Sequence, residues 1–193
     1  MISQLPQIAH NPVAAVQLAG HMPLPTPASE SRELVRSVAS NYFGETYYFN
    51  TPLYIQDPEL KDRLMKEPDI AKTLAIAKNM SIVISGIGGN SSLPITNPIF
   101  RPYLTEKDLA SVDSCMGSIY GYVIDKNGQI ADIDLNHKVS AVPAADILAV
   151  PHRIAVVYGR HKAAITANVI RHQYVNELVT DTETAVTLLE LDN

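Results

Sequence analysis

Short aliphatic runs alternate with capped helical segments over nearly the whole chain, and this alternation constrains the fold more than any other feature. Val13 to Leu18, Thr46 to Phe49, Ser81 to Ser85, Arg153 to Tyr158 and Glu177 to Thr180 have the length and the β-branched or aromatic content of buried strands. Segments with helix-start chemistry lie between them. Asp57-Pro58 and Glu67-Pro68 each set a capping acid before a proline at the first helical position. Leu60 and Leu64 are expected to face the core from the first of these helices, and Ile70, Leu74 and Ala77 from the second. Ser29 offers an earlier N-cap, with Glu30 and Glu33 at the positive end, and Leu34, Val35, Val38 and Tyr42 along one face. Gly44 is placed to stop that helix at C′. Thr105 and Asp108 have the spacing of a capping box, and Leu104 and Leu109 that of a hydrophobic staple. Cys115 is expected toward the end of the helix they start. Lys162 to His172 and Thr182 to Leu191 read as the last two helices, the second capped by Asp181.

One antiparallel excursion interrupts the pattern. Ile119 to Ile124 and Gln129 to Ile133 flank Asp125-Lys126-Asn127-Gly128, and Asn-Gly supplies the positive φ angles of a tight hairpin. Met1 to Leu5 reads as a stub of helix ended by Pro6, and Pro23, Pro25 and Pro27 mark a loop. Strands alternating with helices argue an α/β fold: a largely parallel sheet with helices on both faces. No internal repeat and no Gly/Ser-rich linker divides the sequence, so residues 1–193 are expected to form a single domain.

Composition excludes several classes. The 193 residues are 46% hydrophobic and 18% charged, which is unlike a disordered, collagen-like or coiled-coil chain. The single cysteine, Cys115, leaves no disulfide framework and no Cys-based zinc site, and fits a reducing compartment. A net charge of −5 argues against a face that grips DNA by itself. The most apolar stretch, Ala141 to Tyr158, contains Asp146, His152 and Arg153, so no membrane span is expected, and the location expected is cytoplasmic.

In open α/β sheets, ligands bind at the carboxyl ends of the strands. Three strand ends carry unusual residues. Gly86-Ile87-Gly88-Gly89-Asn90-Ser91-Ser92 could bring backbone N–H groups to an anion, although it serves equally well as a structural turn. Tyr158-Gly159-Arg160-His161-Lys162 sets three basic residues at a helix start, against the dipole, which makes sense around an anion or as solvated charge. Val179-Thr180-Asp181 has first the role of an N-cap and second that of a ligand contact. His161 and His172 are three turns apart on one helix and cannot share a metal; Ser91 and Ser92 have no identifiable base partner. Catalytic residues, metals and cofactors are therefore not expected.

Four stretches occur in a telling order: Val83-Ile84-Ser85-Gly86-Ile87-Gly88, Tyr103 to Leu109, Arg153 to Lys162, and Val175 to Asp181. From about Val13 to its C-terminus the chain resembles the C-terminal effector-binding domain of the SorC family of bacterial transcriptional regulators. That domain is similar in fold to the NagB, RpiA and CoA-transferase group. The resemblance implies a non-enzymatic domain that binds a phosphorylated sugar, assembles as a homo-oligomer (dimer or tetramer) and controls genes of carbohydrate metabolism. It implies that DNA is reached only through a helix-turn-helix domain. That domain, and the first strand of the effector domain, are expected to lie outside these 193 residues. By position it assigns ligand contacts to Gly20 and His21, to Gly86, Gly88 and Gly89, and to Gly159 and Lys162; Asn90, Ser118, Arg160, His161 and Asp181 complete the set of candidate ligand-binding residues. Ser118 stands where many members carry an acid, Asn136-His137-Lys138 replaces an Asn-Asp-Arg, and Tyr158 replaces a glycine. The alternatives are a sugar-phosphate isomerase or deaminase on the related fold, with Asp181 or Lys162 as proton carrier, and a domain that only oligomerises.

Overall fold

Caps and glycine contacts decide where the elements begin and end. In the computed structural model, residues 13–22 and 31–191 are described. They gather into two compact units, one running to Asn79 with Lys138–Val142 added, the other comprising Met80–His137 and Pro143 onward. The helix stub at Met1 to Leu5, the proline loop and the Ser29 cap lie outside the described residues.

In the first unit, β1 (Ala14–Val16) pairs in parallel with β2 (Glu45–Tyr47). Helix α1 (Ser31–Asn41) ends in a Schellman turn, in which the Gly44 N–H donates to the Ala39 carbonyl at 2.9 Å. The left-handed residue is Phe43, at φ 52°, and not Gly44 as expected. Gly44 is required for another reason, because a Cβ there would stand 1.9 Å from the Val13 carbonyl oxygen. Helix α2 (Pro58–Leu64) starts as expected: Asp57 Oδ1 accepts from the N–H groups of Glu59 at 2.9 Å and Leu60 at 3.3 Å. Glu67, ahead of α3 (Pro68–Ala77), makes no such bond. Its extra methylene makes it a poor substitute for aspartate at this position. Phe49, Leu53, Tyr54, Ile55, Ile70 and Ala77 are buried, whereas Leu34 and Leu60, expected to face inward, are 45% and 42% exposed. Two-turn α2 buries no residue fully, so its apolar stripe only skims the core.

The second unit is built on a five-stranded sheet of order β5-β4-β3-β6-β7. Its strands are β3 (Ile82–Gly88), β4 (Cys115–Ile119), β5 (Tyr122–Asp125), β6 (His152–Val157) and β7 (Glu177–Thr180). β3, β6 and β7 run parallel; β4 is antiparallel to both β3 and β5. Helices α4 (Glu106–Ala110), α5 (Asp134–His137), α6 (Ala144–Leu148), α7 (Ala163–Arg171) and α8 (Thr182–Leu191) flank it, which gives the mixed α/β architecture. Val83, Ile87, Ile119, Val123, Ala155, Val157, Ile165 and Val169 form its core. Among the described residues no helix is long and apolar enough to cross a membrane.

Three expectations change here. The strand expected to stop at Ser85 continues through Gly88, so Gly86-Ile87-Gly88 is strand and not turn. The hairpin turns at Tyr120-Gly121, at φ 58° and 92°, where two successive positive angles match the twist of the strands. Asn127-Gly128 makes a turn too, but it leads only to a single bridge between Ile124 and Ile130. Cys115 lies in β4 at 3% exposure, and burial pushes its thiol pKa up. The capping box at Thr105 and Asp108 is present as expected. Asp108 does more than cap: wholly buried, it also accepts the Leu135 N–H at 2.9 Å and so ties α5 to α4. Asp108→Ala should leave the Thr105 and Leu135 N–H groups without their acceptor and destabilise the protein by about 2–4 kcal/mol. Denaturant unfolding of wild type and variant checks this.

Candidate functional site

Because β3, β6 and β7 run parallel, their carboxyl ends lie on one side of the sheet, where α/β folds bind ligands. The chain leaves β3 at Gly88-Gly89, β6 at Tyr158-Gly159 and β7 at Thr180-Asp181. Antiparallel β4 adds Ser118, opposite Gly88 in the register. A Cβ on Gly88 would stand 2.5 Å from Ser118 Oγ and 3.3 Å from Ser92 Oγ, so the missing side chain makes room for two hydroxyls. A Cβ on Gly89 would meet Lys162 Cγ at 3.4 Å and His161 Cδ2 at 4.0 Å. Gly88, Gly89, Ser118, His161 and Lys162 are thus neighbours. Asn90 opens the 3-10 turn Asn90–Ser92 and is exposed, and the Ser92 hydroxyl donates to the Gly89 carbonyl at 3.0 Å.

Arg160–Lys162 form a single 3-10 turn that leads into α7. Gly159 precedes it at φ 97°, and the His161 ring folds over that glycine, with Cε1 2.7 Å from where a Cβ would be. Among the described residues none of the three basic side chains has a carboxylate partner. The Lys162 ammonium lies 5.5 Å from the centroid of the Tyr158 ring, which is 75% exposed. Three uncompensated basic groups at a helix N-terminus, beside a glycine-lined strand end, can hold an anion.

Asp181 is different in kind. Its Oδ1 accepts the Thr184 N–H at 2.9 Å, while Oδ2 accepts the Gly159 N–H at 2.9 Å and the Thr184 hydroxyl at 2.8 Å. These bonds, the Thr184 N–H first and the Gly159 N–H second, pull its pKa down to about 2. Both oxygens are occupied, so Asp181 caps α8 and braces the Gly159 loop. Gly86 is exposed strand, with nothing nearer a Cβ than the Val156 carbonyl oxygen at 4.0 Å, so it makes no close approach. Gly20 and His21 lie in the first unit. Gly20 donates to the Ser140 carbonyl at 2.8 Å and His21 to the Thr51 carbonyl at 2.9 Å, and a Cβ on Gly20 would stand 2.4 Å from the Pro52 oxygen. Packing alone accounts for Gly20. Asn136 is also structural, bonded to the Val123 N–H and to the Val123 and Ala131 carbonyls.

Some polar groups escaped the sequence reading. Ser92 lies over Gly88 because the 3-10 turn Asn90–Ser92 folds back locally, with its hydroxyl donating to the Gly89 carbonyl. Thr180 Oγ1, at the end of β7, and Gln17 Oε1, in the first unit, are buried atoms without a partner, and the sequence carries no signal for that. His21, a ligand contact by the resemblance, also has its Nδ1 buried without a partner. An open hollow of about 240 Å³ beside α1 is lined by Arg36, Ser37, Ser40 and Asn41. Its one cation is already paired, Arg36 with Glu33 at 2.5 Å, so it makes a poorer anion site.

The Sugar-bind family model, describing a sugar-binding domain, matches residues 1–190. The chain belongs to this family. Among its relatives, transcriptional regulator LsrR of Escherichia coli strain K12 is 26% identical over 141 residues, which are 72% of this chain and 44% of LsrR. The chain therefore spans less than half the length of that relative. Among solved structures, a transcriptional regulator from Streptococcus pneumoniae superposes with a TM-score of 0.87 at 22% identity, covering 99% of this chain and 73% of that one. The full-length sorbitol operon regulator SorC from Klebsiella pneumoniae superposes with a TM-score of 0.80 at 19% identity, covering 97% of this chain and 62% of that one. These likenesses bear out the resemblance and the α/β fold.

The Asp181 brace in this sugar-binding domain has a pH signature. A carboxyl held below its unfolded value stabilises the fold above that value and loses the effect as pH falls through the folded pKa. Relative to Asp181→Asn, the wild type should hold a constant stability advantage above pH 5. That advantage should shrink between about 4 and about 2, the window set by the ordinary and the lowered pKa. Denaturant midpoints of both proteins across that range give the answer.

Proposed function

We propose that this chain is the effector-sensing part of a bacterial transcriptional regulator and that its effector is a phosphorylated sugar. The observation that carries this reading is the turn Arg160–Lys162, whose cations have no acidic partner among the described residues and whose Lys162 flanks Gly89. A phosphate monoester brings about −1.5 to −2 charges at neutral pH. Lys162, Arg160, His161 and the N–H groups of the α7 terminus suit that charge. Ser118 and Ser92 hydroxyls over Gly88 suit sugar hydroxyls or phosphate oxygens. Membership of the sugar-binding family and likeness to the regulators LsrR and SorC support the same reading.

The chain acts by binding, not by turnover. Asp181, with a pKa of about 2 and both oxygens engaged, is deprotonated at neutral pH and poorly suited to carry a proton. Lys162 has no carboxylate partner among the described residues. Operator contact is left to a separate helix-turn-helix domain, and the sensor works within a homo-oligomer in the cytoplasm.

Lys162→Ala should weaken sugar-phosphate binding by about 1.5–3 kcal/mol, a factor of roughly 10 to 150, and leave the fold intact. The measurement is the ligand-induced rise in melting temperature for both proteins across a panel of sugar phosphates, with the reaction mixtures assayed for product. Equal shifts would remove Lys162 from the site, and product formation would make the chain an enzyme. The chain alone, at net charge −5, should bind no operator fragment at physiological salt, as a gel-shift titration would report.

A further inference from the structure

Tyr158 has an unusual setting for a large aromatic side chain. It follows directly on β6, whose Ala155 and Val157 are buried, yet it is itself 75% exposed. A tyrosine ring left in water forgoes the stabilisation that its burial would contribute. Scattered apolar residues on a surface are ordinary, but this one stands at the carboxyl end of a parallel strand, one residue before Gly159. Its ring also carries a cation, the Lys162 ammonium, 5.5 Å from the centroid. The same lysine has its Cγ 3.4 Å from where a Cβ on Gly89 would stand. Lys162 therefore spans from the glycine exit of β3 to the Tyr158 ring. A phosphate oxygen held by that ammonium, about 2.8 Å away, is set between a strand end without side chains and an aromatic ring. Tyr158 is not among the candidate ligand contacts that the resemblance supplies.

We propose that Tyr158 determines the specificity of this site, its ring receiving the C–H face of a ring-closed sugar whose phosphate is held by Lys162. The inference rests on the phosphorylated-sugar reading above and narrows it to cyclic sugar phosphates, against open-chain polyol phosphates and free phosphate. Lys162 binds phosphate as a point charge, and a point charge does not tell one phosphate ester from another. A flat aromatic surface beside it does. A pyranose or furanose carries hydroxyls around its rim and C–H bonds on its faces. The negative face of the tyrosine ring attracts those C–H bonds as it attracts the ammonium, only more weakly. Two rigid rings meet with little loss of freedom, whereas an open polyol chain must freeze several torsions to offer the same face. Hydroxyls of the sugar are served at the other end of Lys162, where Ser118 and Ser92 Oγ lie over Gly88. Aromatic surface joined to a few placed polar groups is the usual make-up of a small-molecule site.

Titration calorimetry on the 193-residue chain tests the proposal with five probes. These are glucose 6-phosphate and ribose 5-phosphate, their open-chain counterparts glucitol 6-phosphate and ribitol 5-phosphate, and inorganic phosphate. The wild type should bind each cyclic ester about two- to tenfold more tightly than its open-chain counterpart. Tyr158→Leu should erase that preference by weakening the cyclic esters alone, with the other three probes unchanged within about twofold. Tyr158→Phe keeps the ring and should keep the preference, and circular dichroism should show both variants folded. Lys162→Ala, by contrast, should weaken all five. Equal affinity of the wild type for cyclic and open-chain esters would overturn the proposal, and so would loss of the preference in Tyr158→Phe. An equal change for all five probes in Tyr158→Leu would also overturn it, because Tyr158 would then act only by holding Lys162. Each of these results leaves the phosphate reading standing. Failure of the wild type to bind any of the five would remove that reading, and this proposal with it.

Discussion

Two parallel ladders, β3 with β6 and β6 with β7, hold together three segments that lie far apart in the sequence. Gly86 stands opposite Val156, and Val156 opposite Val179. The strands therefore end level, and parallel strands require a crossover each time the chain returns. That geometry delivers the helix starts after β6 and β7 to one edge of the sheet, with the glycine exit of β3 beside them. The basic turn Arg160–Lys162 and the Asp181 cap owe their positions to it. Asp181 then fixes the edge locally, because one carboxylate serves the first turn of α8 and the Gly159 N–H together.

Close approach is the second constraint. A Cβ on Gly117 would stand 2.3 Å from the Gly88 carbonyl oxygen and 2.7 Å from Ile165 Cγ1, so only glycine lets β4 lie between β3 and α7. Ser118 reaches the mouth of the site because Gly117 precedes it in that strand. Packing and chemistry are coupled here: the residue that allows the strand to dock also orients the hydroxyl next to it. Cations and hydroxyls meet where side chains have been omitted.

Legibility in the sequence followed the range of the interaction. The Asp57 cap, the Thr105–Asp108 box, strand β7 from Glu177 to Thr180 and helix α8 from Thr182 were all readable, since each depends on residues within one turn or one strand. The hairpin was misread by one turn, because two positive φ angles at Tyr120-Gly121 follow from the strand pairing and a tyrosine gives no local sign of them. Phe43 in the left-handed region is a similar case: the contact between Gly44 and Val13 decides it.

By itself, the sequence determined the α/β alternation, the helix starts and the basic turn at the end of β6, because short-range hydrogen bonds and periodic burial dictate these. Only the tertiary structure decided which of the candidate residues meet. Gly88, Gly89, Ser118, His161 and Lys162 converge, and Asp181 braces the Gly159 loop. Convergence depends on ladder register and on the absence of a Cβ at points of close approach. Both are relations between strand residues more than 20 positions apart, which no local pattern encodes.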